Sequence, residues 1–273
     1  MPARILDGKA LAADIRVRLK ADAAQLPKPP TLACLWAGFD PAAASYRSGL
    51  AKAALSAGIM LRPVDVGQQD LLATLVELNR NPGIAGILVQ TPLPEAFSTS
   101  WVWGLIEPAK DVEGVTPHNQ GLALQGEAAC APCTARAAFE LVKLSGVPLK
   151  GVEAVVVGRS AIVGKPAAML LADAGATITL CRSTTRDLAA HTRRAEVLVV
   201  AAGKAGLVTA DMVRPGAVVV DVGIHVEEGK VRGDVDPAAA EVAGWISPVP
   251  GGVGPVTVAM ILERTVAAAL ARR

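Results

Sequence analysis

The chain has 273 residues, 52% of them apolar, which suffices for one large or two modest domains with full cores. A net charge of +2, only 3% aromatic residues and no basic stripe give nucleic-acid binding no footing. No apolar run approaches the ~20 residues of a membrane span, and charges occupy the N-terminal stretch where a signal peptide is apolar, so a cytoplasmic protein is expected.

From Leu6 to Leu26 the spacing predicts a helix, ended by Pro27, Pro29 and Pro30. Thr31 to Trp36 reads as a strand, Ser45 to Ala57 as a helix closed by Gly58, and Ile59 to Val66 as the next strand. Leu71 to Asn81 is amphipathic, and Ile84 to Gln90 is a buried strand ending in Gln90-Thr91-Pro92-Leu93-Pro94. A helix near Ser98 to Ile106, the loop Lys110 to Pro117 and a helix from Thr134 to Ser145 follow. Cys130-Ala-Pro-Cys133 has the spacing of a redox pair. It lacks a thioredoxin-like context, though, and no second pair completes a zinc site. Four cysteines and three scattered histidines make neither a disulfide scaffold nor a metal centre the expectation.

The stretch Gly151 to Pro166 organises the rest. Ala154 to Val157 is a short β-branched run, the pattern of a strand buried on both faces. Gly158, Ser160 and Gly164 come next, and a helix runs from Pro166 to Ala174. Strand, glycine-rich turn and helix in that order offer backbone N–H groups and a helix N-terminus to a phosphate. The spacing is not the standard G-x-G-x-x-G, since Ser160 takes the middle place, and a tight turn in an ordinary α/β protein remains the alternative. Ala176 to Leu180 is a second strand ending in Cys181-Arg182-Ser183. An acidic residue there would select NAD; Arg182, Ser183 and Arg159 suit the 2′-phosphate of NADP, unless both arginines are simply solvated.

Strands at Glu196 to Ala201, Ala217 to Asp221 and Trp245 to Ile246 precede Pro250-Gly-Gly-Val-Gly-Pro255 and a helix from Val256 to Leu270. The alternation implies two α/β domains with parallel strands, the second a Rossmann-type dinucleotide-binding domain. Boundaries are expected at 1–140 and 141–256, with 257–273 returning as a helix to the first domain.

Gly86-Ile-Leu-Val-Gln-Thr-Pro-Leu-Pro94, Lys110-Asp-Val-Glu-Gly114, Pro132-Cys-Thr134, Gly158 to Pro166, Asp221-Val-Gly223 and Pro250 to Thr257 occur in one order along the whole chain. Together they resemble the bifunctional methylenetetrahydrofolate dehydrogenase/cyclohydrolase family. The resemblance implies a folate cleft between the domains, hydride transfer from the folate methylene bridge to NADP, and a homodimer. It places Gly158, Arg159, Ser160, Val163, Gly164, Arg182, Ser183, Gly223 and Ile224 at the cofactor. It places Tyr46, Gln90, Pro92, Leu93, Glu113, Pro250, Gly251, Gly252 and Val253 at the tetrahydrofolate substrate, with Tyr46, Gln90 and Glu113 nearest the chemistry.

The family's cyclohydrolase uses a Tyr-x-x-x-Lys pair, and this chain has Leu50 four residues after Tyr46. Lys52 lies about 200° further round the helix and cannot stand in for that lysine. The family's Asp-Val-Asp-Gly is Asp111-Val-Glu113-Gly114, so Glu113 stands where an aspartate reads the pterin amino edge; the other assignment lets Asp111 bind and Glu113 cap the turn. The expectation is a dehydrogenase with weak or absent cyclohydrolase activity. A dehydrogenase for a related pterin carrier and a non-catalytic NADP-binding protein are the other two readings.

Overall fold

The computed structural model describes residues 2–37, 41–227 and 229–272, apart from the side chains of residues 41–46 and 68. In chain order come β1 (Arg4–Ile5), α1 (Gly8–Ala23), β2 (Thr31–Ala37), α2 (Pro41–Ser56), β3 (Met60–Val66), α3 (Leu71–Arg80) and β4 (Gly86–Val89). Then follow α4 (Thr99–Gly104), α5 (Pro117–Leu124), α6 (Cys133–Leu144), β5 (Glu153–Val157), α7 (Gly164–Asp173) and β6 (Thr177–Cys181). The chain continues with α8 (Leu188–Thr192), β7 (Val197–Val200), β8 (Val218–Asp221), β9 (His225–Glu227), β10 (Lys230–Arg232), β11 (Trp245–Ile246) and α9 (Val253–Leu270).

Local chemistry sets several of these ends. The Asp7 carboxylate accepts the N–H groups of Lys9 and Ala10, so α1 starts at Gly8 rather than at Leu6. Thr116 accepts the N–H of Asn119 at 3.2 Å, and Pro117 takes the first position of α5, where its missing N–H costs nothing.

The chain divides into two compact units, residues 1–11 with 122–257 and residues 12–121 with 258–273. This differs from the boundary expected at residue 140, for two reasons. β1 pairs with β11, which draws in the N-terminal residues, and α6 packs on α7 and β8, which draws in the stretch before 141.

The first unit holds a six-stranded parallel sheet in the order β1-β11-β8-β7-β5-β6. β7 and β8 are buried at every residue and β5 at all but its first, the continuous apolar pattern of a sheet covered on both faces. β9 and β10 form a separate antiparallel hairpin that the sequence reading did not anticipate, nor did it find β1.

The second unit holds a three-stranded parallel sheet in the order β3-β2-β4. Leu32, Leu35, Leu50, Leu71, Leu75, Leu78, Ile87 and Leu88 are among its fully buried side chains. A Cβ at Gly86 would run into the side chains of Val112 and Thr265, so only glycine lets those segments close on β4. Arg272 donates to the carbonyls of Ile84 and Ala109, tying the segment after α9 to this unit. Contrary to the sequence reading, α9 is, among the described residues, a helix long and apolar enough to cross a membrane, with mean hydropathy 1.5. Its Val256, Ala259, Met260, Ile261, Leu262 and Val266 are buried in the protein.

Candidate active site

In the second unit Gln90, Pro92 and Leu93 follow the C-terminal end of a parallel strand, where α/β sheets place their ligands. Gln90 directly follows β4 and extends its pairing, its N–H donating to the Leu35 carbonyl at 2.9 Å. The side-chain oxygen Oε1 of Gln90 is buried without a hydrogen-bond partner among the described residues. Beyond it Pro92 is exposed and Leu93 half-buried, after a cis Thr91–Pro92 bond. Tyr46 lies in α2, but its side chain is outside the described set. Leu50, one helical turn on, is 1% exposed and belongs to the core of the unit. Lys52 is exposed.

The loop after Lys110 separates two carboxylates by function. Asp111 accepts hydrogen bonds from the N–H groups of Gly114, Val115 and Thr116 and from Asn119 Nδ2, at 2.8 to 3.2 Å. Asp111 therefore caps the turn, the reverse of the alternative assignment, and Glu113 takes no part in that network. Burial raises the Glu113 pKa to about 8, helped by the Asp111 charge and opposed by the Arg264 guanidinium. The Cys34 thiol on β2 is also pushed up, by burial first and then by the charge of Glu113. Lys110 anchors the loop, with Nζ donating to the carbonyls of Leu78, Asn79 and Asn81 at the end of α3. Its pKa is lowered, by burial first and then by Arg272.

In the first unit β5 turns sharply at Gly158, whose φ is +120°. A Cβ at Gly158 would collide with the Ala201 carbonyl, and one at Gly164 with the Gly158 carbonyl. These two glycines let three backbone segments meet in a cradle of the kind a pyrophosphate needs. Val163 precedes the first turn of α7, and Ser160 Oγ accepts the Gly164 N–H at 3.4 Å. Arg159, Arg182 and Ser183 are all exposed, at the ends of β5 and β6. This donor set fits a dinucleotide bearing an extra phosphate.

Gly223 follows β8 and donates to Asp221, whose carboxylate also accepts the N–H groups of Asp234 and Val235. Burial lifts the Asp221 pKa to about 6 against the pull of those three bonds, and the Asp234 charge adds to the rise. Asp234, 0% exposed, accepts from the N–H groups of Ala202, Gly203 and Lys204 and contacts His225 Nε2 at 2.7 Å. Ile224 and Pro250 to Val253 line one apolar pocket of about 180 Å³ together with Lys9. Sequence reasoning missed Lys9, Asp234 and His225, since only folding joins these distant segments.

The comparisons with known proteins agree with this geometry. Residues 6–113 match the model of the tetrahydrofolate dehydrogenase/cyclohydrolase catalytic domain, and residues 132–273 match that family's NAD(P)-binding domain. The bifunctional protein FolD of Bordetella petrii is 51% identical over 98% of this chain and 94% of its own. Among solved structures, the Campylobacter jejuni FolD methylenetetrahydrofolate dehydrogenase/cyclohydrolase is 40% identical at a TM-score of 0.95, covering 99% of this chain and 100% of its own. The Trypanosoma brucei enzyme, complexed with NADP and an inhibitor, is 34% identical at a TM-score of 0.94, covering 100% and 99%. The chain belongs to the tetrahydrofolate dehydrogenase/cyclohydrolase family.

Proposed function

We infer that the protein oxidises 5,10-methylenetetrahydrofolate to the 5,10-methenyl cation with NADP, and that its hydrolysis of that cation is weak or absent. The observation that carries the first part is the full-length match to the Campylobacter jejuni dehydrogenase/cyclohydrolase. The choice of NADP rests on Arg159, Arg182 and Ser183, in keeping with the NADP bound by the Trypanosoma brucei relative.

NADP, when bound, supplies the hydride acceptor. The protein's part is to bind and orient. Gly158 and Gly164 keep the turn tight enough for a pyrophosphate to approach, Ser160 and Val163 would offer it their backbone N–H groups, and the two arginines with Ser183 would take the 2′-phosphate. Gly223 and Ile224 would help to hold the cofactor, and Pro250, Gly251, Gly252 and Val253 shape an apolar wall. Tyr46 stacks on the folate, with Pro92 and Leu93 beside it. Gln90 Oε1, buried and unpaired, is an acceptor ready for a polar group of the substrate. Glu113 holds the pterin amino edge. With a pKa of about 8 it is largely protonated beforehand, and the N–H donors of the pterin draw out its carboxylate form.

The hydrolytic half needs a group that takes a proton as water attacks. Leu50 has none, and its place in the core gives it no solvent. The relatives are called bifunctional, and on this reading the chain departs from them in one activity. An NADP-dependent absorbance assay with methylenetetrahydrofolate, beside a methenyl hydrolysis assay, tests both halves. Binding of NADP without turnover of any tetrahydrofolate derivative sinks the first. A homodimer follows from the family resemblance alone, and sedimentation checks it; the cytoplasmic location expected from the sequence is checked by cell fractionation.

A further inference from the structure

Trp36 stands at the end of β2, 6% exposed, and its indole N–H is buried without a hydrogen-bond partner among the described residues. Its neighbour across the sheet is Gln90. Leu35 pairs with Val89 in register, so the next residues along, Trp36 and Gln90, lie side by side on the same face, about 4.8 Å apart between strands. Gln90 carries the unpaired buried acceptor described above. On the other side Trp36 pairs in register with Asp65 of β3. Asp65 holds Arg47 through two bonds of 2.7 and 2.8 Å, and that guanidinium lies 4.7 Å from the centre of the indole ring. The ring is thus held from α2 while its polar edge is left unused.

A buried donor beside a buried acceptor, both unpaired, is unfavourable in the protein alone. A carboxylate partner would need two donors, and an ammonium would need acceptors only. A group with one acceptor and one donor satisfies both, and an amide is such a group. We propose that Trp36 is a further substrate-binding residue, its indole N–H and the Gln90 side-chain carbonyl together taking an amide edge of the substrate. This rests on the folate reading above. In a folate that edge is the lactam of the pterin, whose cis N–H and C=O lie on one side, whereas the trans benzoyl-glutamate amide turns the two apart.

Trp36→Phe keeps a six-membered ring for Arg47 and removes the donor together with the five-membered ring that carries it. Tetrahydropterin and p-aminobenzoylglutamate are titrated separately into the parent and the variant, with NADP as the control. Tetrahydropterin binding is expected to weaken about 5- to 50-fold in the variant while p-aminobenzoylglutamate and NADP hold steady. Weakening of p-aminobenzoylglutamate in its place overturns the proposal. In the parent, the indole N–H resonance that the variant lacks is expected to move when tetrahydropterin is added, and this decides the matter if the variant does not fold. Equal fragment binding by both proteins, an unmoved Trp36 resonance, or a parent that binds neither fragment overturns the proposal. A parent that binds tetrahydropterin through Trp36 but yields no NADPH from methylenetetrahydrofolate loses the dehydrogenase reading and keeps this one.

Discussion

Asp111 accepts three backbone N–H groups and the Asn119 amide of its own loop, and Glu113, two residues on, accepts none of them. The same loop therefore carries one carboxylate tied into the fold and a second held in reserve. Four hydrogen bonds hold the first in place, while burial favours the neutral form of the second.

The state of Glu113 links folding to pH. Its folded pKa of about 8 lies above the ordinary 4.5, so the native protein holds a proton that the unfolded chain releases in that window. Stability therefore falls as pH rises from about 4.5 to 8. Glu113→Gln removes this fall. Thermal melts of parent and variant should separate with pH, the variant being the more stable by several degrees above pH 8. In the same variant the KM for folate should rise about tenfold or more with NADP binding unchanged. Unaltered folate kinetics would return the pterin edge to another residue.

Arg159 is exposed in the turn itself, where it is proposed to meet the 2′-phosphate. Hydrogen bonds to charged groups are worth roughly 1.5–3 kcal/mol, so Arg159→Ala should lower kcat/KM with NADP about 10- to 100-fold. The value with NAD should change far less. Equal losses with both cofactors would mean that Arg159 serves the pyrophosphate or the fold.

Position 50 tests the proposed weakness in hydrolysis. Loss of a general acid–base group costs roughly 10²- to 10⁴-fold, so the methenyl product should accumulate during turnover by the parent protein. Leu50→Lys places an amine one helical turn from Tyr46 and should raise hydrolysis while hydride transfer continues. The exchange also removes a leucine from the core, at about 1.5–3 kcal/mol for the lost burial, so the variant's melt must accompany its assay. Brisk methenyl hydrolysis by the unmutated protein would refute the assignment.

Lys110 is a structural cation rather than a reactive one. Lys110→Met leaves the carbonyls of Leu78, Asn79 and Asn81 without their donor, at a cost of roughly 2–4 kcal/mol. A drop in Tm of about 4–16 °C is expected. A melt unchanged within a degree would show that water takes the place of the amine.

Much of the fold was legible because its strands are apolar runs between clear breakers. Val155 to Val157, Val197 to Val200 and Val218 to Val220 need no partner to announce themselves. The turn at Gly158 was legible for a similar reason: only a residue without a Cβ fits there. The division of labour between Asp111 and Glu113 was not, because it depends on which carboxylate meets the N–H groups of a folded loop. Trp36, Arg47 and Asp65 escaped notice because only strand register brings them together. β1 is two residues long and carries no periodicity at all.

That short strand has a consequence for how the protein is made. Arg4 pairs in register with Trp245, and its guanidinium lies 5.2 Å from the centre of that indole ring. About 240 residues of chain separate the two, so this edge of the sheet closes late among the contacts of the fold. During synthesis Arg4 and Ile5 emerge early and wait for a partner strand that the ribosome has yet to produce. Until then β11's place beside β8 is empty, and the nascent sheet shows an open edge to chaperones and to other chains.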